Sequence, residues 1–141
     1  MTEEKSGLYR EGLLEHARKP RNAGRVENPA LTARASNPLC GDELELTAAL
    51  ENGTVAEIRF RVRGCAIVTA AASLMSEAIR GRELERAREL GRAFQEVMEG
   101  DGAALPAELS SLSPLLEVKK HRSRLTCALL PWQALAEAEK G

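Results

Sequence analysis

The sequence is poor in several features that would each point to a particular class of protein. Aromatic residues make up only 3% of it, so a folded core has to be built from Leu, Ala, Val and Ile. No apolar run approaches the roughly 20 residues that cross a bilayer: the longest, Cys65–Met75, is interrupted by Thr69 and Ser73. The first residues also lack the apolar segment of a secretory signal. These absences predict a cytoplasmic protein with no membrane partner.

Cysteine is scarce and odd in number, since there are three, and no two of them form a Cys-x-x-Cys pair. In a reducing compartment this argues against a disulfide framework. Buried inert thiols, a redox pair and metal ligands remain as alternatives. The formal net charge of -1 gives no overall basic field, so nucleic acid is not an expected partner.

The content of the chain is otherwise that of an ordinary globular protein, with 43% hydrophobic and 29% charged residues. Its length of 141 residues suits one compact domain, 1–141.

The strongest local pattern is a β-hairpin. Apolar residues alternate with polar ones in Glu43–Glu51 and again in Val55–Val62, and Asn52-Gly53 lies between the two runs. Asn-Gly readily takes the positive φ angles of a two-residue type I′ turn. The predicted buried face consists of Leu44, Leu46, Ala48, Leu50, Ala56, Ile58, Phe60 and Val62.

Helical spacing predicts the cover for that face. The predicted helices are Leu8–Ala17, Ala66–Ile79, Glu83–Glu99 and Arg124–Lys140. Leu31–Ser36 is predicted to be a short strand, whereas Arg18–Pro29 and Leu105–Leu116 are predicted to be loops, the second with at most one short helix. The fold class is therefore α+β: a small antiparallel sheet with helices packed mainly on one face.

Two cysteines flank the predicted hairpin. Cys40 and Asp42 lie in a turn just before it, and Cys65 follows it directly at the start of a helix. Because a hairpin returns the chain to its starting end, Cys40 and Cys65 are expected to lie close together. A helix N-terminus also favours the negative charge of a thiolate.

Cys127 lies far along the chain, near the start of the last predicted helix. Three thiolates and the carboxylate of Asp42 make four ligands, a number that suits tetrahedral zinc or a two-iron cluster. Soft thiolate ligands favour zinc or iron over magnesium or calcium. The spacing alone leaves the inclusion of Cys127 open. His121 is a spare ligand candidate, and His16 is interpreted as a surface or packing residue.

Several motifs together resemble the SufU branch of the IscU/NifU-type iron–sulfur cluster assembly proteins. They are Asn37–Asp42 (Asn-Pro-Leu-Cys-Gly-Asp), Gly64–Ile67 (Gly-Cys-Ala-Ile), Cys127–Trp132 (Cys-Ala-Leu-Leu-Pro-Trp) and the opening His16–Asn22. The likeness covers nearly the whole chain in order. It departs from the IscU pattern at Thr126, where IscU proteins carry a histidine.

The resemblance implies a three-stranded antiparallel sheet and the ligand set Cys40, Asp42, Cys65 and Cys127. It implies zinc as the resident metal, with iron or a [2Fe-2S] cluster as the alternative. It also implies a cysteine desulfurase of the SufS/IscS type as the partner that hands over sulfur as a persulfide, and apoproteins as recipients.

Under this resemblance the chain is a sulfur acceptor, a zinc-dependent sulfurtransferase or a scaffold for a nascent cluster. Cys40 is the expected acceptor if the protein behaves like SufU, and Cys127 if it behaves like IscU. Arg124, from a basic segment before Cys127, is assigned a local electrostatic role. The competing functions are a purely structural zinc site and a metal-free protein with buried thiols.

Overall fold

The sheet is antiparallel and is built on three main strands. The computed structural model describes residues 11–38, 41–100 and 103–140, with side chains as far as residue 138. The strands are β1 (Leu31–Asn37), β2 (Asp42–Glu51), β3 (Thr54–Arg63) and a short β4 (Glu139–Lys140), in the spatial order β3-β2-β1-β4. The predicted three-stranded α+β architecture is confirmed, and the two-residue β4 adds an edge that the sequence pattern did not predict.

The β2–β3 hairpin turns at Asn52 and Gly53, whose φ angles are 53° and 80°. These values match the predicted type I′ turn. The strand register shifts by one residue between Ala49 and Leu50. As a result Val55 is buried and Ala56 is exposed, so the prediction that Ala56 lies on the buried face is wrong. A β-bulge places one extra residue in a strand and reverses the alternation beyond it.

Helices cover one face of this sheet. They are α1 (residues 11–18), α2 (Ala66–Ile79), α3 (Leu84–Glu99) and α4 (Arg122–Glu137). Residues 8–10 of the predicted first helix lie outside the described residues. Helix α2 contacts β3 and α4, whereas α4 contacts β1, β2 and α3. No helix in the described ranges is long and apolar enough to cross a membrane.

Helix α2 is buried on nearly all sides rather than on one face, because the sheet, α4 and the following segments surround it. Its alanines and serines permit close approach from several directions. Cys65 lies directly before this central helix and is therefore attached to the most enclosed element of the fold.

The segment Ala107–Lys120 is 3-10 helix with a kink at Leu109, so the prediction of a loop with at most one short helix over Leu105–Leu116 underestimates its helical content. Its buried residues recur every three positions: Leu109, Leu112, Leu115 and Val118. A 3-10 helix has three residues per turn, so this spacing puts Leu112, Leu115 and Val118 on one face, whereas Leu109 is buried at a kink with non-helical backbone angles. The segment contacts α2, α3 and α4 and leads directly into the start of α4.

Helix α4 begins two residues earlier and ends three residues earlier than the predicted Arg124–Lys140. Residues 139–140 form β4 instead and pair with Leu31 and Thr32 of β1. Pro131 lies inside the helix. Since proline has no N–H, it cannot donate the usual helical hydrogen bond to the carbonyl of Cys127, four residues earlier.

Candidate metal centre

Asp42 is the central residue of the site. It is the first residue of β2, is only 1% exposed and pairs in register with Asn37 of β1. Its Oδ1 accepts a hydrogen bond of 2.9 Å from the backbone N–H of Cys65. Its Oδ2 lies 3.2 Å from the sulfur of Cys127 and 3.7 Å from that of Cys65. One carboxylate therefore joins the start of the hairpin, the start of α2 and the middle of α4.

Gly64 makes the close approach of this carboxylate possible. A Cβ atom at position 64 would collide with Oδ1 of Asp42 and would lie 3.0 Å from its Cα. Any side chain at position 64 would thus push Asp42 away from Cys65. The glycine of the Gly-Cys-Ala-Ile motif is required by space at this site.

Cys65 is the N-cap residue of α2 and is half-buried. Its own side chain does not cap the helix, and the first turn of α2 contains no acidic residue. The carboxylate of Asp42 lies at this helix end and accepts the N–H of the capping residue itself. The positive end of the helix dipole attracts the negative charge of this carboxylate.

Cys127 lies on α4 and is 2% exposed. Its sulfur is 3.2 Å from Asp42 Oδ2, 3.7 Å from the carbonyl of Ser123 and 3.9 Å from the side-chain amide of Asn37. Burial raises the pKa of Cys127 strongly, and the hydrogen bonds with Asp42 and Cys65 raise it further. Without a cation the thiol keeps its proton and can donate it to Asp42.

The donor set fits a soft divalent metal ion. One ligand atom from each of Asp42, Cys65 and Cys127 lies within 4.8 Å of the others. In tetrahedral zinc sites the Zn–S distance is about 2.3 Å, which places ligand sulfurs about 3.8 Å apart. Small side-chain adjustments therefore suffice for the three groups to share one ion. Two sulfurs and one carboxylate oxygen are ligands that zinc and iron accept.

The predicted fourth ligand, Cys40, lies outside the described residues. The residues on either side of positions 39–40 are Pro38 and Gly41, and both are exposed. Gly41 has a φ of 72°, a conformation that glycine adopts without strain.

The remaining candidates are not among the three grouped residues. Arg124 is exposed on α4, three residues before Cys127, and forms no ion pair with another described residue. His121 is the exposed N-cap residue of α4. His16 is elsewhere: its Nδ1 lies 2.7 Å from Ser73 Oγ on α2. Trp132 packs against Phe94, with ring centroids 5.8 Å apart.

Two residues that shape the site were assigned no role from the sequence. Asn37 is 4% exposed, and its amide faces the sulfur of Cys127. Gly64 provides the space for Asp42. Both belong to the motifs that carry the family resemblance, so the motifs pointed to these residues even though spacing gave no reason for them.

Comparison with known proteins agrees with this arrangement. The family profile described as NifU-like N-terminal domain matches residues 8–131. The zinc-dependent sulfurtransferase SufU of Bacillus subtilis is 37% identical over 95% of this chain and 88% of its own length. The iron–sulfur cluster assembly scaffold protein IscU of Streptococcus pyogenes is 32% identical over 94% of this chain and 83% of its own.

A solved structure with the same fold is a candidate iron–sulfur cluster assembly scaffold protein for the SUF system from Fervidobacterium islandicum. It superposes with a TM-score of 0.81 at 26% identity and covers 89% of this chain and 91% of its own.

Proposed function

Because the chain belongs to the NifU-like N-terminal domain family, we propose that it is an iron–sulfur cluster assembly protein that binds zinc and accepts sulfur from a cysteine desulfurase. The proposed zinc ligands are Cys40, Asp42, Cys65 and Cys127. Apoproteins, or downstream assembly proteins, are the proposed recipients, and the cytoplasm is the proposed location. Residues 1–141 are proposed to form one domain, since the core of the described residues is continuous.

The observation that carries this proposal is the meeting of Asp42, Cys65 and Cys127. They come from the start of β2, the N-cap of α2 and the middle of α4. A buried carboxylate beside two sulfurs is costly unless the charge is balanced. A divalent cation at this point balances it, so the arrangement favours a metal site over three inert thiols.

When bound, zinc would keep the cysteine sulfurs deprotonated at neutral pH. The chain's own residues then supply the nucleophile for sulfur transfer. The thiolate of Cys40 attacks the outer sulfur of the desulfurase persulfide. A new S–S bond forms on Cys40, the S–S bond of the donor breaks, and the desulfurase cysteine leaves with the electron pair as a thiolate.

Cys40 is preferred as the acceptor because of access. Cys127 is 2% exposed, so a sulfur donor cannot reach it without movement of its neighbours. The exposed Pro38 and Gly41 next to positions 39–40 lie where a partner can approach. Cys127, the acceptor expected of an IscU-like protein, is the alternative that the experiment below separates.

Arg124 is proposed to support the transfer electrostatically. It is exposed on α4, three residues before Cys127, and a guanidinium in that position favours thiolate at the site. Replacing it by Ala should slow transfer at saturating desulfurase. Replacing it by Lys should restore most of the rate, since the charge is kept.

The test of the acceptor uses the zinc-loaded chain, a purified SUF-type cysteine desulfurase and cysteine. Persulfide formed on the chain is alkylated and located by peptide mass spectrometry. We expect the extra sulfur on Cys40 in the unaltered chain and its loss in Cys40→Ser. Mapping in the unaltered chain is independent of any folding or metal-binding defect in the variant. Extra sulfur on Cys127 alone would transfer the acceptor role to that residue.

A purely structural zinc site is the competing function. Structural sites are typically closed and rich in Cys or His, whereas this one contains a carboxylate and the half-buried Cys65. A structural site predicts stoichiometric zinc but no persulfide on any cysteine. Elemental analysis also decides whether zinc, or instead iron or a [2Fe-2S] cluster, is resident after anaerobic purification.

A further inference from the structure

Asn37 is a buried polar residue at the end of β1, and its side chain faces the candidate metal centre. It is 4% exposed and pairs in register with Asp42. Its amide nitrogen lies 3.9 Å from the sulfur of Cys127, a residue 90 positions further along the chain. Burying a polar amide is costly unless its groups form hydrogen bonds. The fold therefore brings an N–H donor from the sheet to the sulfur that α4 supplies.

Two oxygen atoms of described residues also lie near that sulfur, and both are hydrogen-bond acceptors. Asp42 Oδ2 is at 3.2 Å, and the carbonyl of Ser123 is at 3.7 Å. A protonated thiol can donate to either oxygen, whereas a sulfur bound to a metal ion carries no proton and can only accept. Within the described part of the chain, the amide of Asn37 is the side-chain N–H donor that the structure places at this sulfur.

A role in the turn alone does not account for the position of Asn37. Asparagine before proline commonly starts a turn, and Pro38 follows Asn37 here. Such a role needs only bonds to nearby backbone groups, and asparagine side chains are mostly exposed. Asn37 is instead buried, with its amide directed at a sulfur on α4. Its side chain therefore belongs to the metal centre as well as to the turn.

We propose that Asn37 is a positioning residue of the metal centre: its amide donates an N–H···S hydrogen bond to the metal-bound sulfur of Cys127 and keeps that sulfur on the metal while Cys40 accepts sulfur. The inference rests on the proposed function and adds a residue outside the ligand set. Groups that hydrogen-bond a ligand fix its orientation and tune its donor strength. Because the bond draws charge from the sulfur, it also makes Cys127 a weaker nucleophile.

Two variants remove the donor, and a third is the matched control. Asn37→Leu keeps a similar volume and Asn37→Ala reduces it, so together they separate lost bonding from crowding. The control is Thr47→Val, because Thr47 is also buried, at 1% exposure, and its hydroxyl accepts the N–H of Val26 at 2.9 Å. Thr47 lies on β2 about 17 Å along the strand from Asp42, at 3.4 Å per residue. The control therefore loses a buried hydrogen bond away from the sulfur.

The first measurement uses the folded variants loaded with cobalt(II), a coloured ion that accepts the same kinds of ligand as zinc. Its sulfur-to-metal charge-transfer absorption reports the charge on the ligand sulfurs. Loss of an N–H donor raises the energy of the sulfur lone pairs, so the band should move to longer wavelength in Asn37→Leu and Asn37→Ala. Thr47→Val should keep the band of the unaltered chain. A merely structural role of Asn37 would lower stability without moving the band.

The second measurement uses competition with a chromogenic chelator to follow zinc. Asn37→Leu should bind zinc about tenfold more weakly, which is the usual cost of removing a group that orients a ligand. Thr47→Val should bind zinc like the unaltered chain. During persulfide transfer from a purified SUF-type cysteine desulfurase, the unaltered chain and Thr47→Val should retain their zinc, whereas Asn37→Leu should release it to the chelator.

The outcomes separate this inference from the proposed function. An unshifted cobalt band in both Asn37 variants, or zinc affinity equal to that of Thr47→Val, would refute the role of Asn37 even if the chain accepts sulfur. If the band shifts and the affinity falls but the unaltered chain receives no persulfide, the hydrogen bond stands and the sulfur-acceptor function is refuted. Loss of zinc from the unaltered chain during transfer would refute the retention of the metal through Cys127.

Discussion

At the scale of single residues, the site depends on how Asp42 is held. Its carboxylate is buried, and the N–H of Cys65 and the thiol of Cys127 supply its hydrogen bonds. A buried carboxylate that loses such partners is destabilising, because its desolvation is no longer compensated. The residues that position Asp42 are therefore expected to be as important for metal binding as the proposed ligands themselves.

Gly64→Ala should weaken metal binding, because the added Cβ collides with Asp42 Oδ1 and displaces the carboxylate. We expect a loss of zinc affinity of about tenfold or more, as seen when groups that orient a ligand are disturbed. Crowding of this kind should also lower the free energy of unfolding by about 1–3 kcal/mol. Competition with a chromogenic chelator measures the affinity, and urea unfolding measures the stability.

Gly12→Ala is the matched control for that substitution. Among the described residues, a Cβ at position 12, in α1, meets Pro114 alone, with its Cγ at 3.4 Å and its Cβ at 3.7 Å, which is ordinary contact. Alanine in a helix is favoured over glycine by about 0.5–1 kcal/mol, so this change should preserve or raise stability. Equal zinc affinity in Gly64→Ala and Gly12→Ala would contradict the role assigned to Gly64.

At the scale of elements, buried serines of α2 attach the N-terminal segment to the core. Ser73 Oγ accepts the N–H of Arg21 at 2.9 Å and lies 2.7 Å from His16 Nδ1. Asn22 donates to Ser76 Oγ at 2.9 Å. The oxygen of the Ser73 hydroxyl accepts the hydrogen bond from Arg21, and its O–H can in turn donate a hydrogen bond to Nδ1 of a neutral His16. Protonation of His16 removes that acceptor.

Stability should therefore fall in mild acid through His16. Burial lowers the pKa of His16 below 6.5, and the charge of Arg21 lowers it further against the opposing effects of Glu77 and Glu15. Below pH 6.5, His16 binds a proton more readily in the unfolded chain than in the folded chain. The free energy of unfolding thus decreases as the pH falls from 6.5 through the folded-state pKa, by less than about 1.4 kcal/mol per pH unit.

His16→Gln should flatten this slope between pH 6.5 and 5, as measured by urea unfolding at each pH. His121→Gln is the control, since His121 is exposed at the start of α4. The same slope in His16→Gln as in the unaltered chain would exclude His16 as the source of the pH dependence.

Some elements were predicted correctly from the sequence and others were not. The difference depends on whether neighbouring residues or residues distant in the sequence determine the element. Asn52-Gly53 and the alternation around it specify the hairpin locally, so it was predicted correctly. Nothing in the neighbouring sequence pattern indicated the bulge that exposes Ala56. Leu109, Leu112, Leu115 and Val118 do carry a sign, a period of three, but Pro114 and the serines among them favoured the interpretation as a loop.

At the scale of the whole molecule, the site combines local and long-range order. The hairpin alone places Asp42 next to Cys65, so that half of the site could be predicted from alternation and turn chemistry. The arrival of Cys127 depends on the packing of α4 against β1, β2 and α2. Periodicity gives the length of a helix but not its position on the sheet, so only the family motifs placed Cys127 in the site.

Because the proposed ligands come from distant parts of the sequence, the stability of the whole chain should depend on the metal. A bound ion would join β2, the start of α2 and α4, elements that lie far apart in the sequence. Free zinc at one hundred times its dissociation constant stabilises the folded state by about 2.7 kcal/mol. For a domain of this size that corresponds to about 10 °C in Tm.

Calorimetry of zinc-loaded and metal-free protein, with metal content verified by elemental analysis, measures this difference. Cys127→Ser changes little in volume but removes the sulfur that α4 contributes. Added zinc should therefore raise the Tm of this variant by only a small part of the increase expected for the unaltered chain. Arg80 caps the other end of α2, so Arg80→Glu should show the same zinc-dependent increase in Tm as the unaltered chain. If zinc raised the Tm of Cys127→Ser as much as that of the unaltered chain, the metal would not be bound between the sheet and α4. Since Cys127 is the one proposed ligand in the described residues that no local pattern placed, this result would limit the site to the hairpin and the start of α2.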